Sequence, residues 1–85
     1  MQGRRLKNIT EENLFSDHPQ PGDYWLDETM NIWWCNLPTG GVHSLAGYQV
    51  TEHEDKTITV SPAIIGRWHG YLERGVWREI TTPKT

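Results

Sequence analysis

From residue 24 onward, apolar and polar positions alternate over short stretches separated by glycine, proline and charged clusters, the spacing of strands and turns. Tyr24-Trp25-Leu26 and Ile32-Trp33-Trp34-Cys35-Asn36-Leu37 are rich in strand formers and flank the polar Asp27-Glu28-Thr29, which predicts two antiparallel strands. Leu37-Pro38-Thr39-Gly40-Gly41 ends the second of them. Upstream, Thr10-Glu11-Glu12-Asn13-Leu14-Phe15 places a capping hydroxyl before two acids, predicting a short helical turn. His18-Pro19-Gln20-Pro21-Gly22-Asp23 then breaks the chain before the first strand. Met1 to Asn8 has no periodicity and reads as a flexible basic tail, 9–80 as one small β-rich domain, and 81–85 as a second tail.

Parity sets the register of the next two hairpins. Tyr48, Val50 and Glu52 alternate, as do Ile58 and Val60. A two-residue loop would put the valines on opposite faces, whereas a three-residue loop pairs Glu52 with Ile58 and Val50 with Val60. The second register is preferred, and it requires Lys56 to adopt the left-handed conformation that glycine takes more easily. In the last hairpin, Glu73-Arg74-Gly75 reads as another three-residue loop that sets Leu72 opposite Val76. Trp68, Leu72, Val76 and Ile80 then form a core face, with His69, Tyr71, Trp77 and Glu79 on the outer one. The expected fold is mostly β: a small antiparallel, barrel-like domain of five to seven short strands.

Eighty-five residues leave room for one core, and ordering them costs on the order of 1 to 2 kcal/mol each in backbone entropy. Only 35% of the residues are hydrophobic, but they include five tryptophans, three tyrosines and a phenylalanine. Each ring can bury about 150 to 250 Å². Eight basic residues face eleven acidic ones, and Arg4, Arg5 and Lys7 are all near the amino terminus. Residues 8–85 thus carry five cations against eleven anions, a balance unlike a nucleic-acid-binding stripe or a polybasic membrane patch. No apolar run is long enough to span a bilayer and no secretory leader is evident in the first 20 residues, so a soluble, intracellular protein is expected.

Candidate chemistry is sparse. Cys35 cannot form a disulfide within its own chain, and Cys35, His43, His53 and His69 lack the close pairs of structural zinc sites. A degenerate zinc-binding domain therefore stands only as an alternative, and no cofactor is expected. No nucleophile is placed beside a base, since His43 and Ser44 would point to opposite faces of a strand, and Gly40-Gly41 lacks the rest of a phosphate loop. The reading is non-enzymatic. Trp33 and Trp34 are adjacent and must point opposite ways, so at least one indole is expected to be exposed or covered by another element. The candidate binding surface is the outer face of the last hairpin, carried by Arg67, His69, Tyr71, Arg74 and Trp77, because tryptophan, tyrosine and arginine are favoured anchors.

Residues 54–64, EDKTITVSPAI, followed by WHGYLERGVW at 68–77, resemble a segment of small uncharacterised proteins encoded by bacteriophages. In that group the turn commonly has glycine where this chain has Lys56, and serine where it has Ala63. Some related proteins carry several cysteines ahead of the segment, whereas only Cys35 stands there in this chain. The resemblance implies a phage accessory protein acting in the host cytoplasm. Together with the aromatic face, it suggests capture or blocking of a host protein, with self-association by strand addition a further route. The alternative is a protein that sequesters a nucleotide of host defence, with rings stacking the base and Arg67 or Arg74 meeting a phosphate. Nucleic acid and membrane are not expected partners.

Overall fold

A computed structural model of the chain describes residues 1–7, 19–66 and 68–80. These form eight strands: β1 (Arg4–Arg5), β2 (Asp23–Asp27), β3 (Ile32–Asn36), β4 (Val42–Ser44), β5 (Gln49–Glu52), β6 (Ile58–Ile65), β7 (His69–Glu73) and β8 (Val76–Glu79). They build two four-stranded sheets, β1-β2-β3-β4 and β5-β6-β7-β8. The mostly β class is as expected, and no helix occurs among the described residues. The helical turn expected at Thr10 to Phe15, the tail 81–85 and the candidate Arg67 lie outside the described residues.

In the first sheet β2 and β3 are antiparallel, with Tyr24 opposite Cys35, Trp25 opposite Trp34 and Leu26 opposite Trp33. Their turn is closed by the Asp27 carboxylate, which accepts hydrogen bonds from the backbone N–H of Thr29 and Met30 at 3.0 and 3.3 Å. In the second sheet Val50 faces Val60 and Glu52 faces Ile58, the register that valine parity selects. His53 donates its N–H to the Thr57 carbonyl at 2.8 Å, and Lys56 takes φ 73°, as a three-residue loop demands. Pro62, which has no N–H for a ladder, lies where the register between β6 and β7 shifts.

The last hairpin corrects the expectation. Its loop has two residues, Arg74 and Gly75, both at positive φ (45° and 77°), so Glu73 faces Val76 and Leu72 faces Trp77. Both central residues of a two-residue loop with matching twist take positive φ. One residue of slip exchanges the faces of β8. Trp77 turns inward, at 3% exposure, beside the fully buried Leu72, and Val76 turns outward. Inside, the Trp77 indole meets Trp68 edge to face, with centroids 5.4 Å apart, and its N–H donates to the Gly22 carbonyl at 2.8 Å. Burying an indole with its donor satisfied outweighs burying a valine.

A second correction concerns the amino terminus, which is not a free tail. Gln2 bridges to Val76, Gly3 donates to the Gly75 carbonyl at 2.7 Å, and Trp77 donates to the Met1 carbonyl at 2.8 Å. Three residues on, β1 runs parallel to β2, and Leu6 donates to the Tyr24 carbonyl at 2.8 Å. Residues 1–6 thus strap the edge of β8 in one sheet to the edge of β2 in the other, which leaves neither edge bare there. The arginines that looked like a basic tail are tied into the same structure. Arg4 grips buried Asp23 through Nε at 3.2 Å and Nη2 at 2.9 Å. Arg5 pairs with Glu52, donates to the Lys56 carbonyl at 3.1 Å and lies 4.9 Å from the centroid of the Trp33 ring.

One core cluster draws on both sheets: Tyr24 and Cys35 from the first, and Ile58, Val60, Ile64, Leu72 and Trp77 from the second, with Leu37, Leu45 and Trp68 from the connections. Trp33 is half-buried against it, whereas Trp25 and Trp34 pair on the opposite face of the first sheet. None of the five indoles is exposed.

Candidate functional site

With Trp77 inside, the outer surface of the last three strands has a different composition from the expected one. Alternation along β7 buries Gly70 and Leu72 and presents His69, Tyr71 and Glu73 outward. The partner strands add Ile65 opposite His69, Arg78 opposite Tyr71 and Val76 opposite Glu73. Ile65 is 69% exposed and Tyr71 41%, and with Val76 they make up three of the six exposed large hydrophobic side chains among the described residues. The charges flank them: Arg78 and Glu73 approach to 3.6 Å, an exposed pair that contributes little stability. The arrangement is a flat face with a phenol, an aliphatic chain and an imidazole in its middle.

The strand that carries these side chains is held from beneath. A Cβ at Gly70 would lie 2.3 Å from the Trp68 ring and 2.3 Å from the Arg78 carbonyl, so only glycine lets the indole lie flat under β7. The face is therefore presented by packed strands with little freedom to move.

Of the five residues singled out in the sequence, His69 and Tyr71 are together on this face. Arg74 sits apart in the hairpin turn, where its N–H donates to the Thr59 hydroxyl at 3.1 Å, and it lines a shallow depression with Glu52, His53, Glu54 and Asp55. Trp77 is core, so the ring pair expected to stack a base is not formed there. Ile65, Val76 and Arg78 were missed. Their signal was present in the alternative two-residue loop, which moves Val76 and Arg78 outward together.

The residues weighed as metal ligands are engaged separately. The Cys35 thiol donates to the His43 carbonyl at 3.6 Å, and burial pushes its pKa up to about 12. The His43 ring packs edge to face on Tyr48, and the His53 Nε2 lies 2.6 Å from the Thr59 hydroxyl. Among the described residues, no three of His, Cys, Asp and Glu converge as a metal site would need. No helix among them is long and apolar enough to cross a membrane. The chain matches no protein-family model, no curated protein and no solved structure.

Proposed function

We propose that the chain is a non-enzymatic binding protein of phage origin that captures or blocks a host protein in the host cytoplasm. It uses the outer face of β6 to β8, with Tyr71 and Ile65 as anchors and His69 and Arg78 beside them. The observation that carries this reading is the concentration of Ile65, Tyr71 and Val76 on one rigid face. An exposed apolar group rimmed by charge is what a protein partner buries, and tyrosine and arginine are favoured at the centre of such contacts. The phage origin rests on the resemblance of residues 54–64 and 68–77.

The test is affinity capture from bacterial lysate with the native chain and with Tyr71→Ala/Ile65→Ser, after both are shown to unfold at similar urea concentrations. Retention of one protein by the native chain and its loss in the double variant is the expected result. Equal retention by both would reject the face.

A further inference from the structure

A cleft of about 250 Å³ opens where the two sheets meet, lined by Arg5, Leu6, Lys7, Leu26, Glu28 and Lys56. It shares no residue with the outer face of β6 to β8. Among the described residues, Arg4, Arg5 and Arg78 each have an acid within ion-pair distance, whereas Lys7, Lys56 and Arg74 have none. Two of those three unpaired cations line this one cleft, in a chain whose formal net charge is -3. Like charges gathered in a concavity repel each other until an anion sits between them.

Arg5 adds direction to the charge. Glu52, the Lys56 carbonyl and the Trp33 ring fix its guanidinium, yet both hydrogen bonds are made by Nη1, and Nε and Nη2 have no partner among the described residues. A guanidinium carries five N–H donors, so the wall keeps spare donors already in place. Leu6 and Leu26 supply an apolar side, and Glu28 is the one acid in the lining. The volume is below the roughly 300 Å³ at which drug-sized pockets begin, so the occupant is small.

We infer that this cleft binds a small organic phosphate monoester: Lys7 and Lys56 flank the phosphate, Arg5 offers its free N–H groups, Leu6 and Leu26 cover an apolar portion, and Glu28 accepts a hydrogen bond from a hydroxyl or amine. Lysine ammonium groups suit a phosphate as mobile point charges, and arginine as a fixed fork.

The experiment is an amide NMR titration of the full chain with phenyl phosphate and with inorganic phosphate. Saturable shifts confined to residues 5–7, 26–28 and 56 are expected, with phenyl phosphate binding more tightly because of the leucines. Lys7→Gln/Lys56→Gln, checked for an unchanged melting temperature, should weaken binding by about tenfold or more, the equivalent of losing one charge-assisted contact. Glu28→Gln should tighten it by relieving repulsion. Shifts that fail to saturate or extend equally to Arg74 and Arg78, or equal binding by the double lysine variant, would overturn the site. Retention on phosphatidic acid vesicles without any response to phenyl phosphate would overturn it as well, in favour of a membrane surface.

Discussion

The indole nitrogen of Trp77 donates to the carbonyl of Gly22 across 2.8 Å, joining β8 to the turn that precedes β2. The same carbonyl accepts the Arg4 N–H at 3.3 Å, so one oxygen holds both the strap and the last strand. Trp77→Phe is expected to cost about 1 kcal/mol for the lost hydrogen bond, beyond any loss of packing. Trp77→Ala should cost about 3 to 5 kcal/mol, enough to unfold a marginal domain. Urea unfolding of both variants measures the difference. If Trp77→Ala proves as mild as a surface change, the inward placement of the ring is wrong.

Tyr71 and Leu72 are neighbours with opposite fates. Leu72→Ala should destabilise the chain by about 2 to 5 kcal/mol, and Tyr71→Ala by about 0.5 kcal/mol or less. Comparable losses at the two positions would show that Tyr71 is covered and would remove the anchor of the proposed face.

These two neighbours also mark how far the sequence could be read. The mostly β class and the pairing of β2 with β3 follow from strand formers between polar turns. The 54–56 loop follows from parity, because one register gathers Val50 and Val60 and the other separates them. For the last hairpin, parity alone does not choose. A three-residue loop gathers Trp68, Leu72, Val76 and Ile80, and a two-residue loop replaces the last two with Trp77. Apolar count favours the first. What decides for the second is the contact of Trp77 with Trp68 and Gly22, and the Gly22 carbonyl is 55 residues away. The arginine pairs were hidden for the same reason, since Asp23 is 19 residues from Arg4, and Glu52 is 47 from Arg5. Local pattern carries no record of such partners.

Gly3 lies where the strap crosses between the sheets. A Cβ there would stand 2.8 Å from the Gly75 carbonyl, 2.9 Å from the Trp77 indole nitrogen and 3.0 Å from the Gly22 carbonyl. Two of these atoms are backbone and cannot easily yield, so Gly3→Ala should lower stability by about 1 to 3 kcal/mol, typical of overpacking. Deleting residues 1–5 should cost more. Thermal unfolding of the two forms tests both, and an unchanged midpoint for the deletion would return the segment to the status of a tail.

Arg5 makes three contacts at once, to Glu52, the Lys56 carbonyl and Trp33. The ion pair also holds the Glu52 carboxyl below its ordinary range, the hydrogen bond from Arg5 being the main cause. Arg5→Ala should cost about 1 to 2 kcal/mol, summing a partly exposed ion pair and a cation-π contact. Arg5→Lys should recover only part of this, because an ammonium cannot lie flat on the ring while bonding two acceptors in plane. Chemical denaturation of the pair of variants provides the readout.

Burial pushes the Cys35 thiol up to about 12 and, with the same sign, raises the Tyr24 phenol. The folded chain therefore holds these protons more tightly than the unfolded chain does. Stability is complete below about pH 8.5, where an unfolded thiol begins to ionise, and it declines as pH rises towards the folded value. Cys35→Ala should flatten that decline even though it lowers stability at neutral pH. At pH 8 the native thiol should ignore a disulfide reagent that labels it at once in urea, and rapid labelling of the native chain would contradict its burial.

The strap has a consequence for the order of assembly. Met1, Gln2 and Gly3 emerge from the ribosome first, but the strand they grip, at residues 75–77, is made almost last. For most of its synthesis the nascent protein has an amino terminus with half its partners missing, so the two halves can gather separately and the seam between them closes only after translation has nearly finished.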